Sequence, residues 1–214
     1  DRVWAVYQEM VDAKLQPQFT SVTYNTLIDA CARCGEMNRA QKFLSDMVKR
    51  GIEPNLVTYS AFLKGYCQEN RLDKAFELVE TMKQSSHVKP DELTYNTLLD
   101  GCARQGLYER GMQVFGQMQE AGVPPSNFTL SVLVKLANRA RRIDEAFDLC
   151  TRLPAQHKFR LNIHVYSNLV QACIAHKDLQ RAFEVMGQMV SNRVRPDVRF
   201  YTLLIRGCSG CGMA

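Results

Sequence analysis

TYNTLIDACARCG, residues 23–35, returns almost letter for letter as TYNTLLDGCARQG at residues 94–106. A tyrosine or its substitute recurs along the whole chain, at Tyr24, Tyr59, Tyr95, Leu130, Tyr166 and Tyr201, with spacings of 35, 36, 35, 36 and 35. That is a tandem array with a period near 35 residues. An apolar residue followed by proline gives a second landmark: Met10/Pro17, Met47/Pro54, Met82/Pro90, Met118/Pro125 and Met189/Pro196. One repeat lacks the proline, and there Leu153 is followed by Phe159-Arg160-Leu161-Asn162.

Apolar residues within a repeat follow helical spacing in two blocks. Tyr24, Leu27, Ile28 and Cys31 share one face of a helix A, and Ala40, Phe43, Leu44 and Met47 share one face of a helix B. Gly35 suits the end of the first helix, while Gly51 and Pro54 close the second. The helix B stripe recurs as Ala75-Phe76-Leu78-Val79-Met82, as Ala146-Phe147-Leu149-Cys150 and as Ala182-Phe183-Val185-Met186-Met189. The reading is therefore one array over 1–214: full units at 21–55, 56–91, 92–126, 127–162 and 163–197, a partial unit (helix B) at 1–20 and a partial unit (helix A) at 198–214. A two-helix unit cannot bury both its faces alone, so neighbours must stack into an all-α solenoid whose concave surface the A helices line. An array that opens and closes in mid-unit is expected to be a segment of a longer protein.

Hydrophobic residues make up 46% of the 214, enough for a buried core. No run of 18 or more apolar residues occurs, and Asp1-Arg2-Val3-Trp4 has no character of a targeting segment, so a soluble chain with no membrane partner is expected. The net charge of +5 permits an anionic partner without demonstrating one. Eight cysteines are too sparse for a disulfide-stapled scaffold, and reduced, intracellular thiols are expected.

No catalytic constellation emerges. His87, His157, His164 and His176 occupy different unit positions, no phosphate loop or metalloprotease motif occurs, and Asp144/Glu145 reads as a solvated helix surface. We expect no enzyme activity and no cofactor in these residues. The pairs Cys31/Cys34 and Cys208/Cys211 have the spacing of zinc ligands, yet Cys31, Cys102, Cys173 and Cys208 all fall at unit position 11, with Cys67 at position 12. Cysteine is thus expected as a small buried residue, and no metal site is expected.

Among two-helix repeats, the tetratricopeptide pattern needs a tryptophan early in helix A, and Trp4, the one tryptophan, lies outside any helix A. Val22-Thr23-Tyr24-Asn25-Thr26-Leu27-Ile28, Gly35, the pair Ala40 and Met47, and the closing Gly51-x-x-Pro54-Asn55 resemble the pentatricopeptide repeat (PPR) family, in its pure 35-residue form. The resemblance spans essentially the whole chain. The unit at 127–162 departs most, with Leu130 for tyrosine, Arg141 for glycine and no closing proline.

The resemblance implies a right-handed superhelix that binds single-stranded RNA, one nucleotide per repeat, in mitochondria or chloroplasts. In the family the fifth residue of helix A and the last residue of the unit face the base. Those positions are Asn25 with Asn55, Ser60 with Asp91, Asn96 with Ser126, Ser131 with Asn162, and Ser167 with Asp197, all short and polar. Taken singly, each also reads as a helix cap or a turn residue. Thr20 would close the N-terminal partial unit and Thr202 would open a purine-preferring C-terminal one. A serine hydroxyl leaves room for a purine, whereas an asparagine amide reaches a pyrimidine edge. A closing Asp only accepts and favours guanine or uracil, while Asn or Ser can donate to the bare ring nitrogen of adenine or cytosine. The expected core is 5′-YGCAG-3′, with cytosine preferred over uracil at Y.

The family's second position packs against base planes, and here it is Val22, Val57, Leu93, Phe128, His164 and Arg199. Its position 13 faces phosphate, giving Arg33, Arg104 and Arg139, with Gln68 and Ala175 in the series. The competing expectation is a protein–protein scaffold whose groove holds a peptide or a partner helix. RNA processing, stabilisation, splicing, editing and translation are all roles the family resemblance implies.

Overall fold

Short connections join helix A to helix B and longer ones join helix B to the next helix A in the computed structural model, which describes residues 2–85 and 87–210. These residues form twelve α-helices and one short 3-10 turn at Gln16–Gln18, with no strand among them. They fall into two compact units, residues 1–101 and 102–214.

In the first unit α1 (Arg2–Asp12) precedes the hairpins α2 (Ser21–Arg33) with α3 (Met37–Lys49) and α4 (Leu56–Gln68) with α5 (Leu72–Gln84), and α6 (Glu92–Gln105) begins. Helix α2 packs on α3 and, side by side, on α4. The second unit takes up the end of α6 and continues through α7 (Tyr108–Glu120), α8 (Asn127–Arg139), α9 (Ile143–His157), α10 (Ile163–Ala175), α11 (Leu179–Ser191) and α12 (Val198–Gly210). There α10 packs on α8, α11 and α12. In each unit, then, an A helix lies against the next A helix and against its own B helix.

The landmark tyrosines are core pillars. Tyr24, Tyr95 and Tyr166 are almost fully buried, as is Leu130 where tyrosine is missing. The Tyr24 hydroxyl donates to Asp46 Oδ2 at 2.5 Å, and Arg50 Nε meets the same oxygen at 3.0 Å, so a buried phenol ties α2 to α3. Asn192 Nδ2 donates to the Tyr166 hydroxyl at 2.8 Å and joins α10 to the end of α11. Tyr59 and Tyr201 depart from the pattern: Tyr59 is half-buried, and Tyr201 is half exposed, in the one helix A that no described helix B follows. Helix B contributes Ala40, Phe43 and Met47 in one unit and Ala182, Val185 and Met189 in the other, all buried, as their spacing predicts.

Helices end where one residue turns left-handed. Glycine does this at Gly35, Gly51, Gly106 and Gly122, but Asn70, Arg141, Lys158, Lys177 and Arg193 adopt the same positive φ with a Cβ present. Arg141 thus fills the role of the expected glycine, at the local cost a left-handed non-glycine residue carries. The repeat without a closing proline has a substitute clamp. Asn127 Nδ2 donates to Arg160 O at 2.8 Å, and Asn162 N donates back to Asn127 Oδ1 at 3.1 Å.

Tyr108 donates its hydroxyl to Glu145 Oε2, and Arg142 stacks on the ring at 4.5 Å. Burial, then the Glu145 carboxylate, pushes the Tyr108 phenol up to about 12. The folded state holds this proton more tightly than the unfolded one, so the contribution is complete below the ordinary tyrosine pKa of about 10 and is lost as pH rises toward 12. Tyr108→Phe should cost about 1.5–3 kcal/mol at pH 7. Urea unfolding at a series of pH values should show the gap between wild type and variant closing above pH 10. A pH-independent gap would mean that the phenol proton is not what stabilises.

Candidate nucleic-acid interface

Each A helix starts with unpaired backbone N–H groups that something must accept. The last residue of the preceding repeat does so at five of the six A helices. Asn55 Oδ1 accepts from Val57 N and Thr58 N, both at 3.1 Å, and Asp91 Oδ1 accepts from Thr94 N at 2.8 Å. Ser126 Oγ accepts from Phe128 N at 3.0 Å. Asn162 Oδ1 accepts from His164 N at 3.1 Å and Val165 N at 3.2 Å, and Asp197 Oδ1 accepts from Phe200 N at 2.8 Å. Every residue expected to close a reading pair is therefore a helix N-cap, and so is Thr20 at α2.

Capping engages one side-chain atom and orients the other. In Asn55 and Asn162 the cap takes Oδ1, which leaves Nδ2, a donor; in Asp91 and Asp197 it leaves Oδ2, an acceptor. A carboxamide must turn its oxygen toward backbone N–H groups, so these amide orientations follow from the hydrogen-bond chemistry.

Threonine completes the motif. Asn55 N donates to Thr58 Oγ1 at 3.1 Å and Ser126 N to Thr129 Oγ1 at 3.2 Å, making reciprocal capping boxes, and Thr23 serves Thr20 in the same way. Thr58, Thr94 and Thr129 are buried. Sequence reasoning missed this role, although the spacing Asn55-x-x-Thr58 carried the signal. The last two helices have Val165 and Phe200 at this place and rely on Asn162 and Asp197 alone.

Fifth-position residues fall into two groups. Asn25 reaches its partner: Nδ2 donates to Asn55 Oδ1 at 3.1 Å, and Thr58 Oγ1 donates to Asn25 Oδ1 at 2.6 Å. Serine is too short to do this. Ser60 and Ser167 donate instead to the carbonyls of Leu56 and Ile163, at 2.7 and 2.8 Å, and no hydrogen bond joins them to Asp91 or Asp197. Thr202 bonds Val198 O at 2.7 Å in the same manner. Ser131 is buried with no partner for Oγ, so nothing joins it to Asn162. Asn96 lies in the first unit and Ser126 in the second. Asn96 is buried, its Nδ2 donates to Glu92 Oε1 at 3.2 Å, and its Oδ1 has no partner.

Second-position side chains point outward. Val22 is 70% exposed, Val57 60%, Leu93 48% and Phe128 57%, and His164 and Arg199 are exposed as well. Burial of neighbouring stripe residues such as Leu27 and Leu98 makes this exposure selective.

The three arginines differ. Arg33 is mostly exposed and pairs with Asp29 at 2.7 Å, and Arg104 stands exposed in the last turn of α6. Arg139 Nη1 donates to Ala103 O at 2.7 Å and to Arg104 O, covering the C-terminus of α6. Its charge sits where that helix dipole favours a cation.

Cys102 and Cys173 are buried, and burial pushes both thiols up to about 11; Cys150 rises to about 12 for the same reason. Such thiols resist becoming the thiolates that metal ions bind. Cys67 is buried too, Cys31 and Cys208 are half-buried and Cys34 is exposed, while Cys211 lies outside the described residues.

The profile of the PPR repeat family matches residues 20–68, 56–104, 90–139 and 161–210. A chloroplastic pentatricopeptide repeat-containing protein of Arabidopsis thaliana is 27% identical over 88% of this chain and 24% of its own length. A mitochondrial one from the same plant is 29% identical over 82% of this chain and 26% of its own length. The chain thus spans about a quarter of the length of these relatives. Among solved structures, that of the pentatricopeptide repeat protein PPR10 from maize superimposes with a TM-score of 0.69 at 24% identity, covering 100% of this chain and 32% of that one. PPR10 in complex with an 18-nt psaJ RNA element superimposes at 0.56 with 18% identity, over 99% of this chain and 41% of that one. These likenesses establish the all-α helical-repeat solenoid fold.

Thr58→Ala removes the acceptor for Asn55 N and the donor to Asn25 Oδ1 while leaving the Asn55 cap itself. Chemical denaturation should show a loss of about 1–3 kcal/mol. Val57→Ala, beside it but exposed, should change stability by less than about 0.5 kcal/mol.

Proposed function

The chain belongs to the PPR repeat family, and on that premise we propose that it binds single-stranded RNA in a sequence-specific manner, one base per repeat. The observation that carries the reading is the exposed apolar side chain at the second position of four successive A helices, Val22, Val57, Leu93 and Phe128, each two residues after the polar residue at the helix N-cap. A ligand with flat apolar faces at regular intervals and a polar edge on each face fits that pattern. Stacked bases have that form, and an aromatic contact such as one from Phe128 contributes about 1–3 kcal/mol. The complex of PPR10 with an RNA element supports the same partner.

Base choice would rest on the atoms that capping leaves over. Oδ2 of Asp91 and Asp197 accepts, which suits the ring N–H of guanine, and each faces a repeat whose fifth residue is a compact serine with room for a purine. Nδ2 of Asn162 donates, which suits the ring nitrogen of adenine above Ser131. With asparagine favouring pyrimidines at Asn25 and Asn96, the proposed core is 5′-YGCAG-3′. Val22, Val57, Leu93, Phe128, His164 and Arg199 would lie between base planes, and Arg33, Arg104 and Arg139 would meet phosphates. Arg139 would do so through the N–H groups that its contacts to α6 leave over.

The proposed role is occupancy of a defined single strand in RNA processing, stabilisation, splicing, editing or translation, within a chloroplast or mitochondrion as for the named relatives. Fluorescence anisotropy at matched salt is the test. A CGCAG-containing strand should bind at least about tenfold more tightly than a scrambled one. The log–log salt slope should be about −2, as three neutralised phosphates on a single strand require. Equal affinity for both strands would refute the assigned bases, and no salt-sensitive RNA affinity would favour a peptide-binding scaffold.

A further inference from the structure

The last turn of α2 carries two thiols. Cys31 is half-buried and Cys34 is exposed, and together they line a small cavity of about 60 Å3 whose other walls include Trp4 of α1, Glu36 and Arg39. Cys34 N donates to Ala30 O at 3.1 Å and to Cys31 O at 3.2 Å, so the two cysteines stand one helical turn apart. Helix geometry puts Cα atoms three residues apart at roughly 5 Å, inside the window of roughly 4.4–6.8 Å that a disulfide spans. Among the described cysteines Cys34 alone is exposed, whereas Cys67, Cys102, Cys150 and Cys173 are buried, each on a different helix.

Exposure and burial divide the work between the two thiols. Cys34 meets solvent and is placed to react first. Burial, then the Glu36 carboxylate, raises the Cys31 thiol, which makes it a poor first nucleophile. Once Cys34 carries a second sulfur, Cys31 faces that bond from one turn away, and proximity offsets its low thiolate fraction.

We propose that Cys31 and Cys34 form a reversible modification site for low-molecular-weight disulfides, which close the pair into an intramolecular disulfide at the end of α2. The Cys34 thiolate attacks one sulfur of the small disulfide and breaks its S–S bond; one thiolate leaves and a mixed disulfide remains on Cys34. Cys31 then gives its proton to water and attacks the Cys34 sulfur, so that the protein disulfide forms and the second thiolate leaves. Two protein thiols are oxidised and the small disulfide is reduced to two thiols, and no further oxidant is required. Arg33 lies between the two cysteines and pairs with Asp29 at 2.7 Å, so the closed bond fixes the turn that presents this arginine. The chemistry is independent of RNA binding.

The test exposes the reduced 214-residue chain to glutathione disulfide, then unfolds it, blocks the remaining thiols and maps its tryptic peptides by mass. Trypsin cuts after Arg33, so a closed pair should hold residues 15–33 and 34–39 together, and dithiothreitol should part them. Emission from Trp4, the one tryptophan, should fall on oxidation and recover on reduction, because a disulfide quenches an indole beside it. Cys31→Ser lacks the second thiol and should instead keep glutathione on Cys34, whereas Cys34→Ser should leave Cys31 unmodified over the same time. A glutathione adduct that persists on Cys34 of the wild type, a pair that stays reduced with the reagent in excess, or a Cys31→Ser chain that takes up no glutathione at Cys34 would each overturn the proposal. The wild-type peptide map decides by itself should a variant not fold.

Discussion

The hydrogen bond that the backbone opening one repeat donates to the side chain ending the repeat before it is the constraint on which the array depends. An A helix has donors at its start that burial would leave costly if unmet, and the preceding residue lies within reach of them. At Asn55, Asp91, Ser126, Asn162 and Asp197 that residue supplies an oxygen. The requirement limits the position to short polar side chains, whatever else they do. At the Asn and Asp caps it also fixes where the unused side-chain atom lies, so local helix chemistry prepares the surface before any ligand arrives.

Burial of the tyrosine pillars complements the caps. Tyr24 and Tyr166 each send a hydroxyl across to the end of their own helix B, to Asp46 and Asn192, so each ring is held at both ends. Leu130 holds the same buried place without a hydroxyl, and the loop of that repeat is held from the other side by the Asn127 clamp. The closing proline and this clamp meet one need by different means. A proline restricts the loop through its ring, whereas Asn127 restricts it with two hydrogen bonds to Arg160 and Asn162.

Most of the fold was legible in the sequence because periodicity is redundant. Helix A starts at Ser21, Leu56, Glu92, Asn127, Ile163 and Val198, and the buried stripes follow the 3.6-residue spacing of the apolar letters. Single events were harder to read. Nothing in the letters says that Arg141 and Lys177 adopt left-handed φ as glycines do elsewhere, since any residue can when the local cost is met by packing. Arg139 matched a phosphate-facing position, but its guanidinium also reaches the carbonyls of Ala103 and Arg104 and donates to both, which its letter alone does not announce. The Thr58 and Thr129 capping partners were readable from spacing and were overlooked beside the more conspicuous tyrosine that follows each unit's threonine or its substitute.

At the candidate site the letters name residue types, whereas recognition depends on which atom each residue has left over. Capping removes the ambiguity for Asn55 and Asn162, because backbone N–H groups accept only one orientation of an amide. At the fifth position no cap acts, and the decision passes to a neighbour four residues back or in the adjoining helix. Thr58 and Asn55 engage both ends of the Asn25 amide, whereas Glu92 holds only the amide nitrogen of Asn96. The same letter at one repeat position thus sits in different hydrogen-bond surroundings, and the folded chain, not the letter, decides which atoms of the amide are engaged.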